Sequence, residues 1–166
     1  MTRPTAWIGL CFIVVSSCSP GNRKGIPVTL SQEIIALERS ALDRWITFDP
    51  HGYLALSAPE VTYFDPSRDK RVDGLETLRV LLEQIKQLKG SITEPRYEML
   101  DPKVQQYREV ALLTYNLTNY GRVSGGPEAV LVRWNSSELY ARVGEKWKLV
   151  HSHWSYTKPD LKPPTP

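Results

Sequence analysis

The chain has 166 residues, 41% of them hydrophobic, which suits one domain with a real core. Five Trp, eight Tyr and three Phe supply bulky material for a core and a pocket. The formal charge is +3, with Lys and Arg scattered among Asp and Glu and no basic cluster beyond Arg23-Lys24, which argues against a nucleic-acid-binding surface.

The first segment reads as an export signal. Arg3 is a short positive region, and Ala6 to Val15 is an apolar run too short to span a bilayer as a helix. Val15-Ser16-Ser17-Cys18 then resembles a bacterial lipobox, in which the cysteine is acylated and becomes the new N-terminus. An ordinary secretory signal cut near Ser17 or Ser19 obeys the same small-residue rule. The cysteine count favours the lipobox. Cys11 would leave with residues 1–17, and Cys18 would have no partner for an internal disulfide. Several acyl chains on Cys18 would anchor stably, where one alone is marginal. Residues 18–28 read as the lipidated cysteine and a polar Gly/Pro tether, residues 29–157 as the domain, and residues 158–166 as a Pro-rich disordered tail.

Within the domain, Thr29 and Gln32 predict a capping box that opens a first helix. Its apolar stripe is Ile34, Ile35, Leu37, Ala41, Leu42, Trp45 and Ile46. Asp49-Pro50-His51-Gly52 ends it by turn chemistry. A short helix is expected over Tyr53 to Ser57, then a strand over Val61 to Phe64 ended by Asp65-Pro66. Asp73-Gly74-Leu75-Glu76 is read as a second capping signal. It would open a helix with Leu75, Leu78, Leu81, Leu82, Ile85 and Leu88 on its core side, closed by Gly90.

Beyond Gly90 the hydrophobic period changes to two. Tyr97 to Leu100, Val110 to Tyr120, Ala129 to Val143 and Lys146 to Tyr156 read as strands, three of them long. Alternation over the last strand predicts Trp147, Leu149, His151, His153 and Ser155 on one face, with Lys148, Val150, Ser152, Trp154 and Tyr156 on the other. The fold class that follows is α+β: a cone-shaped curved antiparallel sheet with about three N-terminal helices packed on its concave face.

Order and residues together resemble the nuclear transport factor two-like superfamily, which includes SnoaL-like and ketosteroid isomerase-like proteins, in its calcium/calmodulin-dependent protein kinase II association domain branch. The resemblance covers about Gln32 to Ser155. It is carried by Gln32-Glu33-Ile34-Ile35, Thr62-Tyr63-Phe64-Asp65-Pro66, Val72-Asp73-Gly74-Leu75, Leu117-Thr118-Asn119-Tyr120 and Trp147-Lys148-Leu149-Val150-His151-Ser152-His153. The ordered set is more specific for fold than for function. The resemblance implies a cone with a pocket, and self-association. By matched position, the branch's pocket arginines fall at Asn116, Glu138 and Trp154 and its pocket histidine at Leu78, so a cationic anion-binding pocket is not expected.

Asp65 and Glu138 are the candidate catalytic carboxylates. A carboxyl in an apolar cavity is pushed toward its neutral form, which suits proton abstraction, with Tyr53, Tyr63 or Tyr115 as donors. Turn chemistry before Pro66 accounts for Asp65 without catalysis. An inward Glu138 needs a partner such as Arg71, Arg133 or Asn116, or a function. The candidate ligand-binding residues are Trp45, Tyr53, Tyr63, Leu78, Asn116, Glu138 and Trp154. His151 and His153, about 7 Å apart along a strand, lack a visible third ligand, so packing or hydrogen bonding is the expected role and no metal or cofactor is expected.

The leading expectation is a membrane-anchored extracytoplasmic domain that binds a small apolar or polar-aromatic molecule in its cone and forms a homodimer. Its place would be the bacterial cell envelope. The alternatives are an isomerase, cyclase or dehydratase using a pocket carboxylate, and a structural oligomerisation module whose pocket is filled by Trp154 and its neighbours.

Overall fold

The computed structural model describes residues 29–157. The proposed signal segment, Cys18, the tether and the tail lie outside the described residues. Helix α1 (Leu30–Trp45) is capped as its sequence predicts: Thr29 Oγ1 accepts from Gln32 N at 3.3 Å and Gln32 Oε1 accepts from Thr29 N at 2.8 Å. An N-cap of this kind is worth about 1 kcal/mol. Helix α2 (His51–Leu56) follows and leads directly into β1 (Ser57–Phe64). Gly52 is required between the two helices, because a Cβ there would stand 2.9 Å from Ala41 Cα.

The second expected cap takes a different form. Helix α3 (Leu75–Leu82) starts at Gly74, whose φ of 83° suits glycine, and no side chain caps it. Asp73 belongs to a short strand, β2 (Val72–Asp73), where it accepts from Arg71 Nε at 2.6 Å. The apolar repeat past Leu82 continues as a 3-10 helix over Glu83–Leu88 that buries none of its residues, and Leu88 is exposed. Three residues per turn cannot keep a 3.6-residue stripe against one surface.

Four long strands complete the described residues: β3 (Ile92–Tyr107), β4 (Val110–Val123), β5 (Ala129–Val143) and β6 (Lys146–Tyr156). With β1 and β2 they form one six-stranded curved sheet in the order β2-β1-β6-β5-β4-β3, which makes the domain the expected α+β cone. Two particulars differ from expectation. The β1–β6 pair is parallel. Strand β3 is far longer than Tyr97 to Leu100 because register shifts between Thr93 and Arg96, and between Leu100 and Lys103, carry it past Pro95 and Pro102. An edge strand tolerates prolines that a central strand does not.

The decisive irregularity lies in β6. Leu139 pairs with His151 and Tyr140 with Leu149, which leaves Val150 as an extra residue. A one-residue bulge reverses which face each later side chain takes. Trp147 and Leu149 enter the core before it, and Ser152 and Trp154 turn inward after it. His151 and His153 point outward, so the strict alternation expected for this strand is corrected at Val150. The main core forms between α1 (Ile34, Ala41, Leu42) and the concave residues Leu113, Tyr115, Leu117, Tyr140 and Leu149.

Candidate functional site

A cavity lies between the three helices and the concave face of the sheet. Trp45, Tyr53, Tyr63, Leu78, Trp134 and Trp154 line it, together with Leu82, Leu117, Leu149 and the polar residues Ser57, Asn119 and Ser152. The open space is about 80 Å³, small beside the ~300–1,000 Å³ of ordinary ligand sites. Aromatic edges set its shape. Trp154 meets Trp134 with centroids 5.6 Å apart and Tyr115 at 5.8 Å, both near perpendicular. Trp45 meets Tyr53 at 5.8 Å in the same way.

Two carboxyls lie fully buried around this space. Glu138 Oε1 accepts from Ser136 Oγ at 2.8 Å and from Ser152 Oγ at 3.1 Å, while Oε2 has no hydrogen-bond partner among the described residues. Ser152 also accepts from Trp154 Nε1 at 3.0 Å. Burial holds Glu138 well above the ordinary carboxylate range, and the neighbouring Glu38 charge adds to the rise. A carboxyl buried in this way favours its neutral form, which can donate a proton and, once ionised, take one back in a water-poor setting.

Glu38 is the second acid. It comes from α1, where it stands four residues after Ile34 and four before Leu42, inside the apolar stripe. Its Oε1 accepts from Tyr53 at 2.7 Å and Tyr115 at 2.6 Å, and its Oε2 accepts from Tyr140. Desolvation raises its pKa, while the three phenol hydrogen bonds pull it down. The same burial pushes the Tyr53, Tyr115 and Tyr140 hydroxyls up, so all three stay protonated as donors. Sequence reasoning missed Glu38. The signal was present, since a charge at the centre of a helical apolar stripe demands internal partners.

The predicted site residues divide. Trp45, Tyr53, Tyr63, Leu78 and Trp154 all line the cavity, and Glu138 lies directly behind Ser152. Asn116 does not belong to the site. Buried Tyr115 and Leu117 flank it on β4, so alternation sends it to the outer face, where its Nδ2 donates to Asn135 Oδ1 at 2.7 Å. Arg71, Arg133 and Asn116 do not partner Glu138, whose partners are serines. Asp65 is taken up by its own turn: Ser67 N donates to Oδ1 at 2.7 Å and Tyr63 donates to Oδ2 at 3.1 Å. His151 Nδ1 stands 2.7 Å from Thr62 Oγ1, and both His151 and His153 flank the exposed Phe64 ring. No group of three metal-ligating side chains occurs among the described residues.

The comparisons with known proteins agree with this architecture. The model of the calcium/calmodulin dependent protein kinase II association domain matches residues 30–158. The chain belongs to that family. Among solved structures it is similar to a candidate ketosteroid isomerase from Parabacteroides distasonis, with 34% identity and a TM-score of 0.66 over 82% of this chain and 95% of that one. It is similar in fold to the CaMKII hub homology domain of Chlamydomonas reinhardtii, with 19% identity and a TM-score of 0.67 over 78% of this chain and all of that one. A calcium/calmodulin dependent protein kinase II association domain protein from Xanthomonas campestris shares the fold at 18% identity and a TM-score of 0.63, over 78% and 89% of the two chains. No curated protein matches the chain.

Proposed function

We propose that this association-domain family member is a small-molecule-binding module of a bacterial cell envelope, tethered to the membrane by lipid on Cys18 and paired through the outer face of its sheet. The observation that carries the binding reading is the aromatic cavity beside the buried, half-partnered Glu138. An unpaired polar atom at no exposure costs roughly 1–3 kcal/mol, which a purely structural core would avoid by carrying an apolar residue there. Native mass spectrometry of the protein, extracted in mild detergent from its own host, tests this reading. A co-purified small molecule, lost on Trp154→Ala, is the expected result. A protein whose mass is polypeptide plus acyl chains alone, in every preparation, would overturn it.

The small size of the cavity favours a second reading. Trp134 and Trp154 fill much of the cone, and relatives described as hub domains share the fold. In this reading the domain serves assembly and the cavity is residual space. An empty dimer or larger ring in the same spectra supports it over binding.

A further inference from the structure

The cavity offers a ligand acceptors in preference to donors. Among its polar lining residues, nearly every proton is already committed inside the protein. Ser57 Oγ donates to Tyr53 O at 2.8 Å, Tyr53 to Glu38, Tyr63 to Asp65, and Ser152 to Glu138. Of the three indoles two are committed as well, Trp134 Nε1 to Asn119 Oδ1 at 2.8 Å and Trp154 Nε1 to Ser152 Oγ. The side-chain amide of Asn119 and the indole N–H of Trp45 are the exceptions. What remains toward the cavity is oxygen lone pairs on Ser57, Ser152 and Asn119, and the ring systems of Trp45, Trp134 and Trp154. No Lys, Arg or His lines the space, and neither Glu38 nor Glu138 has a cationic partner among the described residues. Lone pairs, aromatic rings and an uncompensated acid are together the complement of a small organic cation.

We propose that the cone takes a small primary ammonium ligand, its N–H donating to Ser152 Oγ, its charge balanced by Glu138 directly behind that serine, and its alkyl part lying among Trp45, Leu78 and Trp134. This rests on the cone being a binding site. Glu138 gives up its proton to solvent as the ammonium enters, so the buried pair forms with no net charge added to the interior. The groups that face Glu138 are Glu38 on α1, Tyr53 on α2, Tyr63 on β1, Tyr115 on β4 and Tyr140 on β5. Of these only Glu38 is a carboxylate base, and its oxygens are already taken up by three phenol donors.

The experiment is titration of detergent-solubilised full-length protein with n-butylamine, n-butanol and n-butyrate, read by the indole N–H resonances of Trp134 and Trp154. The expected result is n-butylamine tightest, by at least about tenfold over n-butanol, with n-butyrate weakest. Calorimetry in buffers of different ionisation enthalpy should show release of about one proton per n-butylamine bound. Glu138→Gln should remove that release and most of the amine preference while leaving n-butanol binding in place. The release measured on the wild-type protein stands even where that variant fails to fold. Equal binding of n-butanol or n-butyrate, or amine binding without proton release, overturns the ammonium assignment and leaves the binding reading intact. Failure of all three probes to bind overturns both.

Discussion

Ser152 Oγ stands 3.1 Å from Glu138 Oε1, so the cavity wall and the buried acid are one hydrogen bond apart. Ser152 belongs to β6 and Glu138 to β5, and the two face each other across the ladder. The pairing is possible only because the extra residue at Val150 turns Ser152 inward.

Replacing Ser152 by Ala therefore breaks two bonds at once. Trp154 Nε1 loses its acceptor and Glu138 loses one of its two donors. The expected loss is about 1–3 kcal/mol of unfolding free energy, measured by urea denaturation followed through Trp fluorescence. A variant as stable as the wild type would show that Ser152 does not hold the acid.

Glu38 should be the most sensitive polar position in the domain. Glu38→Leu leaves the buried Tyr53, Tyr115 and Tyr140 hydroxyls without their common acceptor, so a loss of about 3 kcal/mol or more is expected. Tyr140→Phe removes one donor and should cost about 1 kcal/mol. Thermal unfolding of the two variants side by side checks the ranking. A Glu38→Leu protein milder than Tyr140→Phe would contradict it.

Stability should fall as pH rises. The folded-state pKa of Glu138 lies above its ordinary value of 4.5, so the folded protein holds a proton that the unfolded chain gives up. That contribution is fully present below pH 4.5 and is lost as pH climbs through the raised folded value. Glu138→Gln mimics the neutral acid, so its melting temperature should gain on the wild type as pH increases. Parallel melting curves from pH 5 upward would refute the assignment of a neutral Glu138.

On the outer face, Phe64 is 44% exposed between His151 and His153, and Leu100 is 43% exposed on the far edge strand. If copies pair through this face, Phe64→Glu should convert the dimer to monomer in sedimentation velocity, because the charge would be buried unpaired. A variant with unchanged sedimentation would place the interface elsewhere.

Replacing Cys18 by Ala should release the protein from the membrane fraction or leave the precursor uncut. Unchanged membrane retention after carbonate washing would count against the lipid anchor.

Local chemistry made much of the fold legible. The Thr29–Gln32 box, Gly52 and the switch to a period of two after Gly90 act over a few residues, and a chain displays such interactions in order. Trp45 is legible as cavity lining from the general aromatic lining of pockets, Tyr53 and Tyr63 as phenol donors, and Leu78 from its matched position in the resemblance, and all four line the cavity. Asn116 was misplaced because the period of two forbids it from sharing a face with Tyr115. Nothing in residues 147–156 alone marks Val150 as the extra residue. Its bulge arises from how β6 fits between an antiparallel neighbour, β5, and a parallel one, β1. The Glu38 site likewise joins α1, α2, β4 and β5, with Tyr140 lying 102 positions from its acceptor. Burial of that carboxyl is set by the closing of helix onto sheet, a long-range event. The amino-acid order determined which segments coil and which extend, and only the tertiary structure decided which acids lose their water.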